Sequence, residues 1–194
     1  MLKAIRPAIV MIALFTLLLG VAYPLAVTGI AQAAFPAQAN GSLVRNDRGQ
    51  VVGSSLIGQP FAGAGYLHPR PSAAGDGYNA AGSSGSNLGP LNEDLKTRVA
   101  EAALAIRAED GAGAIPADAV TTSASGLDPD ISPAYARLQA ARIARARGVP
   151  VEEVQKVIDR HTEGAFLGFI GQPHVNVLVA NRAIDARFSA APAS

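Results

Sequence analysis

Cysteine and tryptophan are absent from the 194 residues, aromatic residues make up 5%, and the only lysines are Lys3, Lys96 and Lys156. Without cysteine there is no disulfide framework, thiolate zinc site, iron–sulfur cluster or lipoprotein-type thiol anchor, although the redox compartment stays open. A formal charge of +1 argues against a chain whose main work is neutralising a nucleic-acid backbone. The length allows one ordinary domain plus an accessory segment and excludes a large multidomain enzyme. Common catalytic signatures are missing too. No lysine follows a glycine, so there is no phosphate-binding G-x-x-x-x-G-K-[ST] loop. The three histidines, His68, His161 and His174, lie far apart and without metal-ligand spacing, and neither H-E-x-x-H nor G-x-S-x-G occurs.

Charge is also missing between Arg6 and Arg45, and there the absence becomes informative. Residues 8–30 are overwhelmingly apolar, and as a helix rising ~1.5 Å per residue they would cover roughly 35 Å, enough to cross a ~30 Å hydrocarbon layer. Pro24 is expected to kink this helix or loosen its last turn. Lys3 and Arg6 precede the run and no basic residue follows until Arg45, which predicts a cytoplasmic N-terminus over residues 1–7 and an extracytoplasmic remainder. The rival is a cleavable signal peptide, since Ala31-Gln32-Ala33 imitates a small-residue cleavage site. The run exceeds the ~7–15 residues of a signal h-region, which favours an uncleaved anchor.

Beyond the anchor, residues 31–41 read as a juxtamembrane link with Phe35 at the lipid interface, residues 42–188 as one extracytoplasmic domain, and residues 189–194 as a disordered tail. Ser42-Leu43-Val44 and Val51-Val52 flank the turn-forming cluster Asn46-Asp47-Arg48-Gly49 and predict a hairpin, its second strand extended by Leu56-Ile57. From Gly58 to Pro90 the chain is mostly Gly, Ser, Ala, Pro and Asn. A structureless stretch of that length is either disordered or held by a partner, and Tyr66, His68, Arg70, Tyr78 and Asn79 favour a docked loop. Leu91, Leu95, Val99, Ala102 and Ile106 recur at helical spacing. Ser132-Pro133, Tyr135 to Arg147 and Gly148 supply the cap, first-turn proline and terminating glycine of a second helix. A third starts at Pro150 with Val154, Val157 and Ile158 on its apolar face. Alternation of Val175, Val177 and Val179 predicts a strand near the C-terminus. Strands at both ends with helices between them predict an α+β domain after one transmembrane helix.

Three segments carry groups suited to chemistry. Ser83 to Pro90, opening a helix, offers backbone amides to an anion, against the favoured reading of an entry turn capped by Ser86 or Asn87. Ser125 to Asp130 brings two carboxylates close, but a calcium site needs six or more oxygens, and a turn stabilised by Asp128 is preferred. Arg137, Arg142, Arg145 and Arg147, with Gln139, ring the second helix, and solvated surface stands level with a partner interface. A tethered hydrolase using Ser84 or Ser86 with a histidine is a further class, as is a cleaved soluble periplasmic binding or scaffolding protein.

The motifs in order resemble one family. They run Arg6-Pro7-Ala8; Gln38-Ala39-Asn40-Gly41-Ser42-Leu43; Gly53 to Phe61; Arg70-Pro71-Ser72-Ala73; Tyr78-Asn79; and Ser84 to Pro90. Val120 to Pro129, Gln139 with Arg142, Ala144 and Arg147, and Gly171 to Leu178 complete the series. Together they resemble the C subunit of the Kdp potassium-transporting P-type ATPases over nearly the whole chain. Ser83-Ser84-Gly85-Ser86 stands where that family often has Ser-Gly-Gly-Ser. The resemblance implies a single-pass accessory subunit of a bacterial inner-membrane potassium importer, described as an assembly factor and catalytic chaperone. Its partners would be a channel-like A subunit, a P-type B subunit, a small F subunit and membrane lipid. ATP, Mg and K⁺ would belong to the complex, with no cofactor and no catalytic or metal-binding residue in this chain and no nucleic-acid partner. The chain itself has neither an Asp-Lys-Thr-Gly-Thr nor a Thr-Val-Gly-Tyr-Gly motif. The residues expected to face partners are Tyr66, Arg70, Tyr78 and Asn79 of the loop; Ser84, Ser86 and Asn87; and Asp128, Gln139, Arg142 and Arg147.

Overall fold

In the computed structural model, which describes residues 2–188, the apolar run over residues 8–30 is helical throughout. Helix α1 (Leu2–Leu17) passes through a π turn (Leu18–Ala22) into α2 (Tyr23–Ala34), and a short α3 (Pro36–Ala39) follows. Lys3–Ala34 has a mean hydropathy of 2.4 and buries none of its side chains within the structure, which makes it long and apolar enough to span a membrane. Pro24 acts earlier than expected. Its ring removes the N–H that would bond Gly20, and the ladder widens just before it, where the Tyr23 amide reaches back five residues to the Leu18 carbonyl. The helix then continues past Ala31-Gln32-Ala33 to Ala34, so the first part of the expected link is helical.

The chain divides into two units, Met1–Val44 and Arg45–Ser194. The predicted hairpin consists of β1 (Leu43–Arg45) and β2 (Val51–Ser54). In its turn the Asn46 carboxamide oxygen accepts from the amides of Arg48 (3.0 Å) and Gln50 (2.9 Å). β2 ends at Ser54 and does not include Leu56-Ile57. The Ser54 hydroxyl accepts from the Leu56 amide and its carbonyl from the Ile57 amide, which turns the chain and leaves Leu56 exposed.

Helix α4 (Glu93–Asp110) is capped by Asn92, whose side chain accepts from the Asp94 amide at 2.7 Å, so the expected caps Ser86 and Asn87 lie upstream of it. Leu91 precedes the helix and is exposed; of the predicted stripe only Ile106 is buried. After α5 (Ala117–Val120) and β3 (Asp130–Ile131), α6 (Pro133–Arg147) starts as predicted, with the Ser132 hydroxyl accepting from the Tyr135 amide and Gly148 terminating it in the left-handed conformation. Helix α7 (Val151–Arg160) buries Val154, Val157 and Ile158.

The last elements are β4 (Thr162–Glu163), β5 (His174–Asn176) and α8 (Val177–Arg187). β5 is the central strand of an antiparallel sheet of order β3-β5-β4, with Ile131 and Thr162 both opposite Val175. The predicted strand over residues 175–179 is therefore cut short. The Asn176 side chain accepts from the Val179 amide and starts a helix that buries Val177, Leu178, Ala180, Asn181 and Ile184. The core lies where α6, α7, α8 and β5 meet, with Ala136, Ala140, Ile143, Val154, Ile158, Val175 and Ile184 at 0–2% exposure. Each such Ile or Val is worth roughly 1.5–3 kcal/mol against leaving it in water. The described residues are thus α+β, with one candidate membrane helix and two small sheets. The expected tail, residues 189–194, lies outside the described residues.

Candidate functional site

Residues 58–90 carry few large apolar side chains, yet Leu67 and Ala74 are fully buried. The loop is held by side chains of this same chain. Two buried amides on neighbouring helices bracket it. Asn181 on α8 accepts from the Leu67 amide at 2.7 Å and donates to the Leu67 carbonyl at 2.9 Å. Gln139 on α6 does the same for His68, at 2.7 and 3.1 Å. Each carboxamide thus acts as a strand neighbour, satisfying one donor and one acceptor of buried backbone.

Arg142, one turn further along α6, completes the arrangement. Its guanidinium donates to Gln139 Oε1 (2.7 Å), Asp110 Oδ1 (2.8 Å) and the carbonyls of Ala64 (2.8 Å) and Tyr66 (3.0 Å). The ion pair with Asp110 is almost entirely withdrawn from solvent, its side chains 7% and 2% exposed. At the end of α6, Arg147 donates to the Gly65 carbonyl (3.0 Å) and Asp185 (2.7 Å) and lies 4.7 Å from the Tyr66 ring centroid. The Tyr66 hydroxyl closes that group on Asp185. The helical arginines therefore divide. Arg142 and Arg147 are internal fasteners, whereas Arg137 pairs with Asp159 in the open.

A second set of contacts holds residues 70–86 to residues 122–128. Arg70 pairs with Asp128 at 2.7 Å, and Asp128 also accepts from the Asp130 amide, forming a turn. Ser72 donates to the Gly126 carbonyl (2.7 Å) and accepts from the Tyr78 amide (2.8 Å); the Tyr78 hydroxyl donates to the Arg70 carbonyl (2.6 Å). Burial pushes the Tyr78 phenol up to about 12. Gly126 is required here. At φ +67° an added Cβ would lie 2.6 Å from the Ser84 carbonyl oxygen and 2.7 Å from the Ala74 nitrogen.

Of the residues expected to face partners, Tyr66, Gln139, Arg142 and Arg147 meet in the first group and Arg70, Tyr78 and Asp128 in the second. Asn79 caps the 3₁₀ turn Ala80–Gly82. The Ser84 amide donates to the Ser125 carbonyl and its hydroxyl to the Gly85 carbonyl. Ser86 lines a shallow groove with Pro71, Leu95, Arg98 and Thr121, and Asn87 takes a positive φ of 53°. The histidine rings are engaged elsewhere: His68 with the Gly63 carbonyl, His161 with that of Val157 and His174 with that of Gln172. Burial, then the nearby Arg142 charge, lowers the His68 pKa. Its 3.5 Å approach to half-exposed Glu109 does not reverse that. Sequence reasoning missed Asn181, Asp110 and Asp185. Asn181 was hidden by reading residues 175–179 as a strand; a helical register from Asn176 would have placed it beside Ile184 on the inner face. Asp110 lies past the predicted stripe that ends at Ile106, and nothing near it in sequence points to Arg142.

Among the described residues, one helix is long and apolar enough to span a membrane, and the second unit is an α+β domain whose loop is fastened by side chains of the same chain. A family model described as "K+-transporting ATPase, c chain" matches residues 5–186, and the chain belongs to this KdpC family. It is 66% identical over 98% of its length to the potassium-transporting ATPase KdpC subunit of Caulobacter sp. (strain K31), covering 97% of that protein. The corresponding subunit of Beijerinckia indica is 64% identical (97% of this chain, 96% of that one), and that of Mycobacterium bovis 53% identical (94% and 98%).

Proposed function

We propose that this subunit is a non-catalytic accessory that joins and steadies the channel-like and P-type subunits of its potassium-transporting ATPase, with the small F subunit and lipid as further neighbours. The supporting observation is that the polar groups gathered in the domain are spent on its own architecture. Gln139, Asn181, Arg142 and Arg147 all bond a loop of this chain, so the domain presents a preorganised surface. Lys3 and Arg6 before the span argue for a cytoplasmic N-terminus and a periplasmic domain at a bacterial inner membrane. On that topology the domain is across the membrane from a cytoplasmic nucleotide site, and it assists ATP use at a distance. Docking more tightly to one conformation of the complex than to another shifts the equilibrium between them by the difference in binding free energy. ATP, Mg and K⁺ are then handled by the neighbouring subunits, with the end of the loop, half-buried Ser86 and exposed Asn87, at the contact.

The test is a chain truncated after the anchor, lacking residues 45–194, co-expressed with the other subunits. The expected result is loss of copurification or of K⁺-stimulated ATPase activity. Unchanged assembly and activity would refute the proposal.

A further inference from the structure

Between β4 and β5 the chain makes a tight hairpin whose tip is Phe166-Leu167-Gly168-Phe169-Ile170, and the architecture described above does not use it. These four side chains are 69%, 70%, 76% and 51% exposed. No charged residue occurs from Gly164 to Pro173. Folding alone gives no reason to leave two phenylalanines, a leucine and an isoleucine together in water, since contiguous exposed apolar groups mark an interaction site.

The tip is closed on itself. Phe166 and Ile170 exchange backbone hydrogen bonds at 2.8 and 2.9 Å, the Gly168 amide bonds the Ala165 carbonyl, and the Phe169 amide bonds the Phe166 carbonyl. Leu167 and Gly168 take positive φ values of 54° and 82°, which reverses the chain within a few residues. A hairpin with these amides paired internally can leave water without the cost of stranded backbone donors.

Its apolar character is also all-round. The bridged pair Phe166 and Ile170 and the turn residues Leu167 and Phe169 are all more than half exposed, so none of the four is packed away inside the domain. A groove in a protein partner calls for one apolar face with polar groups on the other; an isotropic apolar medium calls for both. The same chain carries a helix long and apolar enough to cross a membrane, which keeps the domain near a lipid surface.

We propose that the Phe166–Ile170 tip is a second membrane contact, inserting its side chains into the lipid interface. The inference depends on the candidate span but on neither the side of the membrane nor the transport partners. The hairpin thereby ties the domain to the bilayer at two points, which restricts how it can swing over a neighbouring subunit.

The absence of native tryptophan allows a clean test. Phe169→Trp in the full-length chain, reconstituted without other subunits into phosphatidylcholine–phosphatidylglycerol vesicles, places the sole indole at the tip. Emission is expected to be blue-shifted and to lose about half its intensity in lipid brominated near the headgroup end of the acyl chains, since interfacial insertion is shallow. Leu104→Trp, on the exposed face of α4, serves as the control and should emit as in water, unquenched. Adding Ile170→Asp to Phe169→Trp should abolish the quenching while leaving the far-ultraviolet circular dichroism unchanged. Water-like emission from Phe169→Trp overturns the proposal, as does equal quenching of both reporters. Protection that appears only when the other transport subunits are added overturns it as well, making the occupant a protein. None of these readings depends on ATPase activity, so the result stands whether or not the accessory role holds.

Discussion

Helix α7 and the loop of residues 58–74 are both fixed parts of the same domain, but they are fixed by different forces. Helix α7 is amphipathic in the ordinary way: Val154, Val157 and Ile158 face inward, Glu152 and Glu153 occupy its first turn, and the hydrophobic effect suffices to hold it. The loop has almost no such stripe. Its carbonyls and amides are gripped by Gln139, Asn181, Arg142 and Arg147, each reaching back along the chain across separations that run from 71 (Gln139–His68) to 114 (Leu67–Asn181). Apolar burial is forgiving of small shifts, whereas a side-chain amide bracketing one residue at both ends sets register. The loop is thus the part of the domain whose exact path depends on single polar atoms.

The sharpest way to break the contrast is Arg142→Ala. It leaves Asp110 buried without its cation and strips the Ala64 and Tyr66 carbonyls of donors, a class of change that costs ~3–5 kcal/mol. Denaturant unfolding should show that loss, and limited proteolysis should cut residues 60–70 before the helices. Arg142→Lys should recover only a part, since one ammonium cannot reproduce the fork. Ile158→Ala attacks the other mechanism. A buried Ile truncated to Ala costs ~2–5 kcal/mol, but here the protease pattern should stay native until global unfolding.

Asn181→Leu is smaller and more specific. It removes both partners of Leu67 and leaves its amide and carbonyl buried and unmade, at ~1–3 kcal/mol, with hydrogen exchange at Leu67 accelerated ahead of the core. The least effect comes from pH. Because the folded state holds His68 below the usual 6.5, the unfolded chain binds the extra proton first. Its contribution is therefore complete above about 6.5 and is lost as pH falls below it. Midpoints of thermal unfolding measured across that range should decline with acidification, and His68→Gln should flatten the decline.

The contrast also explains which features could be read in advance. Helices α6 and α7 were legible because caps, prolines, glycines and the 3.6-residue period are local: Ser132, Pro133, Gly148 and the Val154–Ile158 stripe state their roles within one or two turns. Helix α8 was misread because Val175, Val177 and Val179 alternate like a strand, and only the Asn176 side chain, spent on the Val179 amide, shows that the period changes there. The paired amides were not legible at all. Nothing near Gln139 or Asn181 points to residues 67 and 68. Arginines around a helix look alike in sequence, yet Arg142 is buried and Arg137 is not. The apolar tip at Phe166 to Ile170 gives no sign of its exposure in the sequence, since composition does not distinguish a buried cluster from an exposed one.

By itself, the amino-acid sequence determined the membrane-length apolar run, the class of the domain and the family, because these rest on composition, short-range period and motif order. Only the tertiary structure decided where the loop lies, which arginines are fasteners and which apolar residues stay in the open. Those depend on contacts between residues far apart in the chain, where a polar group's burial is settled by the partner it finds and not by its neighbours in sequence.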